Sequence, residues 1–192
     1  MRLALLPILL SIACGGHHPA TENPTVSAPP AAPESTLNDE VVSPPFSAAD
    51  LRDGFPPGTE LRLRIETTGK PTVIQHWTFT AADAEGCTIH SRTLTEDGSL
   101  ISEDESRSTW AELATHGQFP AARTTRTDAS VDVIAGHFDT WLFVVEPEKP
   151  GAPTKRMHFA RNFPGPPVLM EVIQNDTVIL RMELISRTTP PR

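Results

Sequence analysis

From Leu61 onward the chain alternates apolar and charged positions, with Leu61, Leu63 and Ile65 set against Arg62, Arg64 and Glu66. A period of two sends successive side chains to opposite faces of a strand, so this stretch predicts a half-buried strand. Gly69-Lys70-Pro71 turns the chain into Thr72–Thr80, where Val73, Trp77 and Phe79 share a face. Cys87–Thr95 and Ser99–Arg107 flank Asp97-Gly98, a two-residue hairpin signal. Ser130–Ile134 and His137–Glu146 follow around Ala135-Gly136, the second being the most apolar strand of all. Thr154–Ala160, Val168–Gln174 and Thr177–Arg187 complete the chain, the last two joined by Asn175-Asp176. About eight or nine strands with short connections predict antiparallel pairing between neighbours.

Two segments leave this pattern. Thr109-Trp110-Ala111-Glu112 has the form of a capping box, and Gly117 stops the helix after His116. The helix predicted over 109–116 puts Trp110, Leu113 and Ala114 on one face, which should lie on the sheet. A shorter helix is predicted from Ser47, as N-cap, to about Asp53. The expected fold is mainly β (α+β): a curved antiparallel sheet or half-barrel with a helix on its concave side. A β-sandwich is the alternative.

The N-terminal quarter, to Ser47, reads differently. Met1-Arg2 followed by the apolar stretch Leu3–Ala13 has the layout of a secretory signal and is too short to span a bilayer. Leu10-Ser11-Ile12-Ala13-Cys14 resembles the lipobox of bacterial lipoproteins, with Ser11 where the family prefers leucine. The resemblance implies cleavage after Ala13 and acylation of Cys14, the alternative being an ordinary signal cut at the same place. Gly15 is similar to the outer-membrane sorting position of Gram-negative lipoproteins. From Gly15 to Ser47 prolines from Pro19 to Pro45 stand among alanine, serine, threonine and a few acids, a composition that predicts a disordered tether. The expected organisation is a signal peptide over 1–13, a lipidated cysteine and tether over 14–47, and a β domain over 48–192. The expected location is the Gram-negative cell envelope, lipid-anchored at the outer membrane.

The chain has 192 residues, 38% of them hydrophobic, and a net charge of −8. That size suits one domain with a modest core, and the charge argues against a nucleic-acid partner. None of the common nucleophile, zinc, dinucleotide or phosphate-loop motifs occurs. With Cys14 acylated, Cys87 has no partner for a disulfide, and its phase with Ile89 makes it a buried apolar residue. His17-His18 beside Glu22 lacks a fixed third ligand. His76, His90, His116, His137 and His158 show no spacing that would place two imidazoles on one metal. Glu96, Asp97 and Glu103-Asp104-Glu105 form an acidic hairpin without the alternation of a calcium loop. No metal or cofactor is expected. Arg161-Asn162-Phe163-Pro164-Gly165-Pro166-Pro167 is a stiff loop that either closes the end of the sheet or forms a binding lip, with Arg161 and Asn162 at its rim.

Trp110-Ala111-Glu112-Leu113 with His116 and Phe119-Pro120, Ala135-Gly136-His137-Phe138-Asp139 and Pro164-Gly165-Pro166-Pro167-Val168 resemble segments of uncharacterised secreted proteins and lipoproteins of Gram-negative bacteria. More loosely, a curved sheet with a helix inside is similar to the lipoprotein-carrier (LolA/LolB-like) fold, which implies acyl-chain binding on the concave side. The resulting expectation is a non-catalytic, membrane-tethered β domain that binds an apolar ligand or an envelope protein. The ligand-contacting candidates are Trp77, Phe79, Trp110, His116, Trp141 and Arg161. A lipid-filled fold predicts that Trp77, Phe79, Trp141, Phe143 and Leu169 line a cavity. The alternative is a secreted hydrolase using His137 or His116 with a nearby acid.

Overall fold

The computed structural model describes residues 40–191. The segment expected to be a signal peptide, Cys14 and the expected tether as far as residue 39 lie outside them. The described strands are β1 (Val41–Val42), β2 (Glu60–Thr67), β3 (Val73–Ala82), β4 (Gly86–Thr95), β5 (Leu100–Thr109), β6 (Phe119–Pro120), β7 (Thr124–Val133), β8 (Gly136–Val145), β9 (Thr154–Ala160), β10 (Leu169–Gln174) and β11 (Thr177–Thr188). Two helices join them, α1 (Ala48–Gly54) and α2 (Trp110–Thr115). Nine strands form one curved, open antiparallel sheet in the order β5-β4-β3-β2-β11-β10-β9-β8-β7, and β1 and β6 make a separate two-stranded ribbon. The sandwich alternative is thereby set aside.

Register follows the alternation in the sequence. Leu61 pairs with Trp77 and Leu63 with Leu184, while Ile65 pairs with Met182, so apolar residues meet on one inner face. Phe79, Met157, Phe143 and Phe159 extend that face across the sheet and are buried. The opposite face is polar: Arg64 bridges Glu66 (2.7 Å) and Glu96 (3.2 Å), and Arg181 bridges Glu171 (3.1 Å) and Glu183 (3.3 Å). Such partly exposed pairs fix register more than they add stability. The turns use the expected chemistry. Gly98 has φ +89°, and Asn175 and Asp176 both take the left-handed conformation that a tight hairpin requires.

Both helices begin on reciprocal capping boxes, Ser47 with Asp50 and Thr109 with Glu112, and pack on the inner face. Trp110 is buried and its indole N–H donates to the Asp83 carbonyl at 2.9 Å. The folded unit starts earlier than the sequence pattern placed it. Val41–Val42 pairs with Phe119–Pro120, and Phe46 is buried against Trp141 and Phe159. The prolines of this segment do not prevent it from docking, because an apolar residue that finds a preformed aromatic surface offsets its ordering entropy. The strand expected from Ser130 begins at Thr124, where Thr124–Ala129 carries too few apolar residues to show a period.

The interior expected to hold a lipid is filled instead. Phe55 stacks on Phe79 with ring centroids 4.2 Å apart, Phe119 and Phe159 flank the fully buried Phe143, and Leu169 is 5% exposed. The side chains that occlude the sheet come from α1's flank and from β6, segments whose docking leaves no periodic signal.

Candidate functional site

A cleft of about 760 Å³ opens between α1 and the loop after β9. One wall is α1, contributing Asp50, Asp53 and Gly54, and the other is Arg161–Pro164. Between them lie Phe46, Phe138, Trp141 and Leu184, with Arg187 at the back.

Local chemistry explains the walls. Asp50 accepts from the Ser47 backbone N–H at 2.8 Å and hydroxyl at 2.7 Å, and these hydrogen bonds hold its carboxyl below the ordinary range. Asp53 is paired with Arg52 at 2.9 Å. Arg187 is the brace at the back. Its guanidinium donates to the Pro164 carbonyl at 3.1 Å and to the Gly54 carbonyl, between the rings of Phe55 and Phe163, whose centroids lie 5.0 and 4.5 Å away. Burial lowers its pKa, yet an arginine stays charged, so this cation is held by carbonyl dipoles and aromatic faces. Gly54 is demanded by the closure, since a Cβ there would stand 2.2 Å from Pro164 Cγ. The proline-rich loop therefore closes the sheet end and forms a lip as well.

Arg161 frames the opposite rim. Its backbone N–H donates to the Asp139 carbonyl at 2.9 Å, its Nε to the Thr140 carbonyl at 3.3 Å, and its Nη2 pairs with Asp128. Trp141 lies edge-on to Phe46 at 5.9 Å, and Arg161 and Arg126 stand 5.6 and 4.6 Å from its ring centroid. The arrangement offers an aromatic floor between fixed charges of both signs, suited to holding a chain with apolar and polar groups in alternation.

Of the six candidates read from the sequence, the structure brings Trp141 and Arg161 together in this cleft. Phe79 and Trp110 are core residues, Trp77 is half-buried beside them, and His116 caps the end of α2. Phe46 was missed, although Phe46-Ser47 before Asp50-Leu51 has the pattern of a capping box with a hydrophobic staple. His137 Nδ1 lies 2.9 Å from Asp132, but both side chains are largely exposed at a hairpin tip and do not line the cleft. Burial pushes the Cys87 thiol up to about 11, an unreactive state at neutral pH. Among the described residues, no group of three His, Cys, Asp or Glu side chains is placed to hold a metal ion.

The fold and cleft define a class: an open, curved antiparallel sheet with helices on one face and a groove at one end. No protein-family model matches the sequence, and no curated protein matches it. Among solved structures, the crystal structure of MucB is similar at a TM-score of 0.51 and 13% identity, over 74% of this chain and 57% of that one. MucB in complex with MucA(peri) gives 0.49 and 12%, over 68% and 49%, and the Pseudomonas aeruginosa MucA/MucB complex gives 0.46 and 13%, over 70% and 53%. The match spans about half the length of those solved chains. At such identity the likeness is one of fold, and it supports a curved β fold of the MucB kind rather than a lipoprotein carrier in particular.

Proposed function

We propose that this chain is a non-catalytic binding domain of the Gram-negative cell envelope whose cleft takes an extended segment of a protein partner. The observation that carries the reading is the open cleft itself, with Phe46, Phe138 and Trp141 on its floor and fixed aspartates and arginines on its rim. An acyl chain would need an enclosed apolar cavity, whereas an open groove with both charge signs suits a peptide whose side chains alternate. MucB has been solved with MucA(peri), a protein partner, but it is the cleft that supports a protein occupant here. The lipobox adds the location: acylated Cys14 would moor the domain at the outer membrane, and mass spectrometry of the protein extracted from cells checks this. Two or more acyl chains on Cys14 are expected, and Cys14→Ala should release the protein from membranes.

The cleft is tested by photo-crosslinking in intact cells from a reactive residue placed at Asn162. The expected outcome is a discrete protein adduct that Trp141→Glu abolishes. Labelling of lipid alone, or an adduct indifferent to Trp141→Glu, overturns the reading. The hydrolase alternative has one observation in its favour, the His137–Asp132 pair. His137→Ala should leave the adduct unchanged, since that pair stands outside the cleft.

A further inference from the structure

The last strand of the sheet, β7, has a second side that no described residue pairs. Which of its backbone groups face that side follows from the hairpin. Val133 pairs with Gly136 across the two-residue turn Ile134-Ala135, and the Asp139 carbonyl accepts from Arg161, away from β7. Hydrogen bonding alternates along an antiparallel ladder. The even residues of β8 therefore bond β7, through β7's odd residues, and residues 124, 126, 128, 130 and 132 turn their N–H and C=O groups to the open edge.

We infer that β7 pairs antiparallel with β7 of a second copy, on a two-fold axis at Ala129, joining two nine-stranded sheets into one. The charges select that partner and that register. With Ala129 on the axis, Arg126 stands directly opposite Asp132 of the second copy, and the symmetry makes the pair twice. Asp128 faces Ser130, and Thr125 faces Val133. Opposite charges placed directly across a ladder favour the pairing, and like charges oppose it. Moving the axis to Asp128 sets that carboxylate against its own copy, and moving it to Ser130 sets Asp128 against Asp132 twice. An axis at Thr127 would match Arg126 with Asp128, but the Val131–Val133 end would go unpaired and the shared ladder would be shorter. Arg126 and Asp132 are both exposed on the same face. Within one chain Arg126 lies over Trp141 and Asp132 pairs with His137, so pairing across the axis would re-aim both side chains. At the other end of the sheet, β5 carries Glu103-Asp104-Glu105 at its middle, so an axis there brings carboxylates together.

This inference is independent of the cleft's occupant. Ala129 would be a non-hydrogen-bonded pair on the axis, with Cα atoms about 4.5 Å apart, which is within disulfide range. In the full mature chain, Ala129→Cys should form a covalent dimer under mild oxidation, while Thr127→Cys, on the same face but displaced from its own copy, should not. Cys87 is buried and does not compete, and the cysteine variants carry Cys14→Ala so that no N-terminal thiol can form the bond. By analytical ultracentrifugation the wild-type chain should show twice the monomer mass. Arg126→Asp or Asp132→Arg alone should return it to the monomer, and the two together should restore the dimer. A monomer at concentrations on the order of 100 μM, the range where weak specific association shows, overturns the inference. So does crosslinking from Thr127→Cys in place of Ala129→Cys, or a dimer that Arg126→Asp does not weaken.

Discussion

The two ends of the sheet are built from the same part and put to different use. β4–β5 and β7–β8 are antiparallel hairpins of ten-residue strands. In the first, β5 is exposed almost throughout, and its far end is tied by Arg107 to Asp83 at 2.7 Å. In the second, β8 buries Phe143 and Thr140, and the tip folds back onto the sheet. There Ala135 N–H donates to the Leu184 carbonyl at 3.1 Å and Ile134 N–H to the Glu183 carboxylate at 2.8 Å. β5 is held mainly by its ladder. β8 is held by the core and in turn supplies Phe138 and Trp141 to the cleft. A hairpin's turn and length say that it forms, and the side chains it meets decide what it does.

The sharpest way to break this contrast is truncation on each side. Phe143→Ala should destabilise the domain by about 3–5 kcal/mol, the usual range for a large buried aromatic, while Ile101→Ala on the exposed β5 should change it by less than about 0.5 kcal/mol. Urea midpoints of the two variants check this. Arg187→Leu should cost about 1–3 kcal/mol by leaving the Pro164 and Gly54 carbonyls unpaired, and should also loosen the cleft. Thr109→Ala, which removes the cap of α2 beside β5, should cost about 1 kcal/mol.

Titration separates the two ends without mutation. His158 on β9 has its pKa lowered from 6.5, first by burial and then by Arg156, against an opposing pull from Glu171. A depressed histidine pKa means the unfolded chain binds the proton more readily, so its contribution is full above pH 6.5 and declines as pH falls below it. Asp83, beside β4, is held down to about 2 by the Arg107 guanidinium and by the Gly86 and Glu85 N–H groups. Its contribution is full above pH 4 and is lost as pH falls toward 2. Denaturation midpoints measured against pH should therefore show two steps. His158→Gln should flatten the upper one and Asp83→Asn the lower, and a profile unaffected by either substitution would contradict the assignments.

Much of the sheet was legible because a half-buried strand must alternate. Leu61–Glu66 shows the period openly, and the Asp97-Gly98 and Asn175-Asp176 turns punctuate it. β7 was only half legible, since at an exposed edge Thr124–Ala129 needs no apolar face. Phe46 was hidden by the proline-rich composition around it. Trp141 and Arg161 were singled out one by one, and nothing in their spacing says they share a cleft with Asp50 and Phe46.

Alternation, turn residues and capping boxes are local, and each is read over a few neighbouring positions. For that reason the chain alone determined most strands of the large sheet, their hairpins and both helices, but not β1, β6 or the first half of β7. The tertiary structure decided what distance along the chain conceals. It decided that the Phe46–Phe55 segment fills the sheet, that a half-buried arginine at position 187 clamps two carbonyls from separate segments, and that a cleft opens between α1 and the loop after β9. Those outcomes depend on which surfaces meet across separations from 23 residues, for Arg187 and Pro164, to 133, for Arg187 and Gly54, and steric fit between such segments has no sequence period.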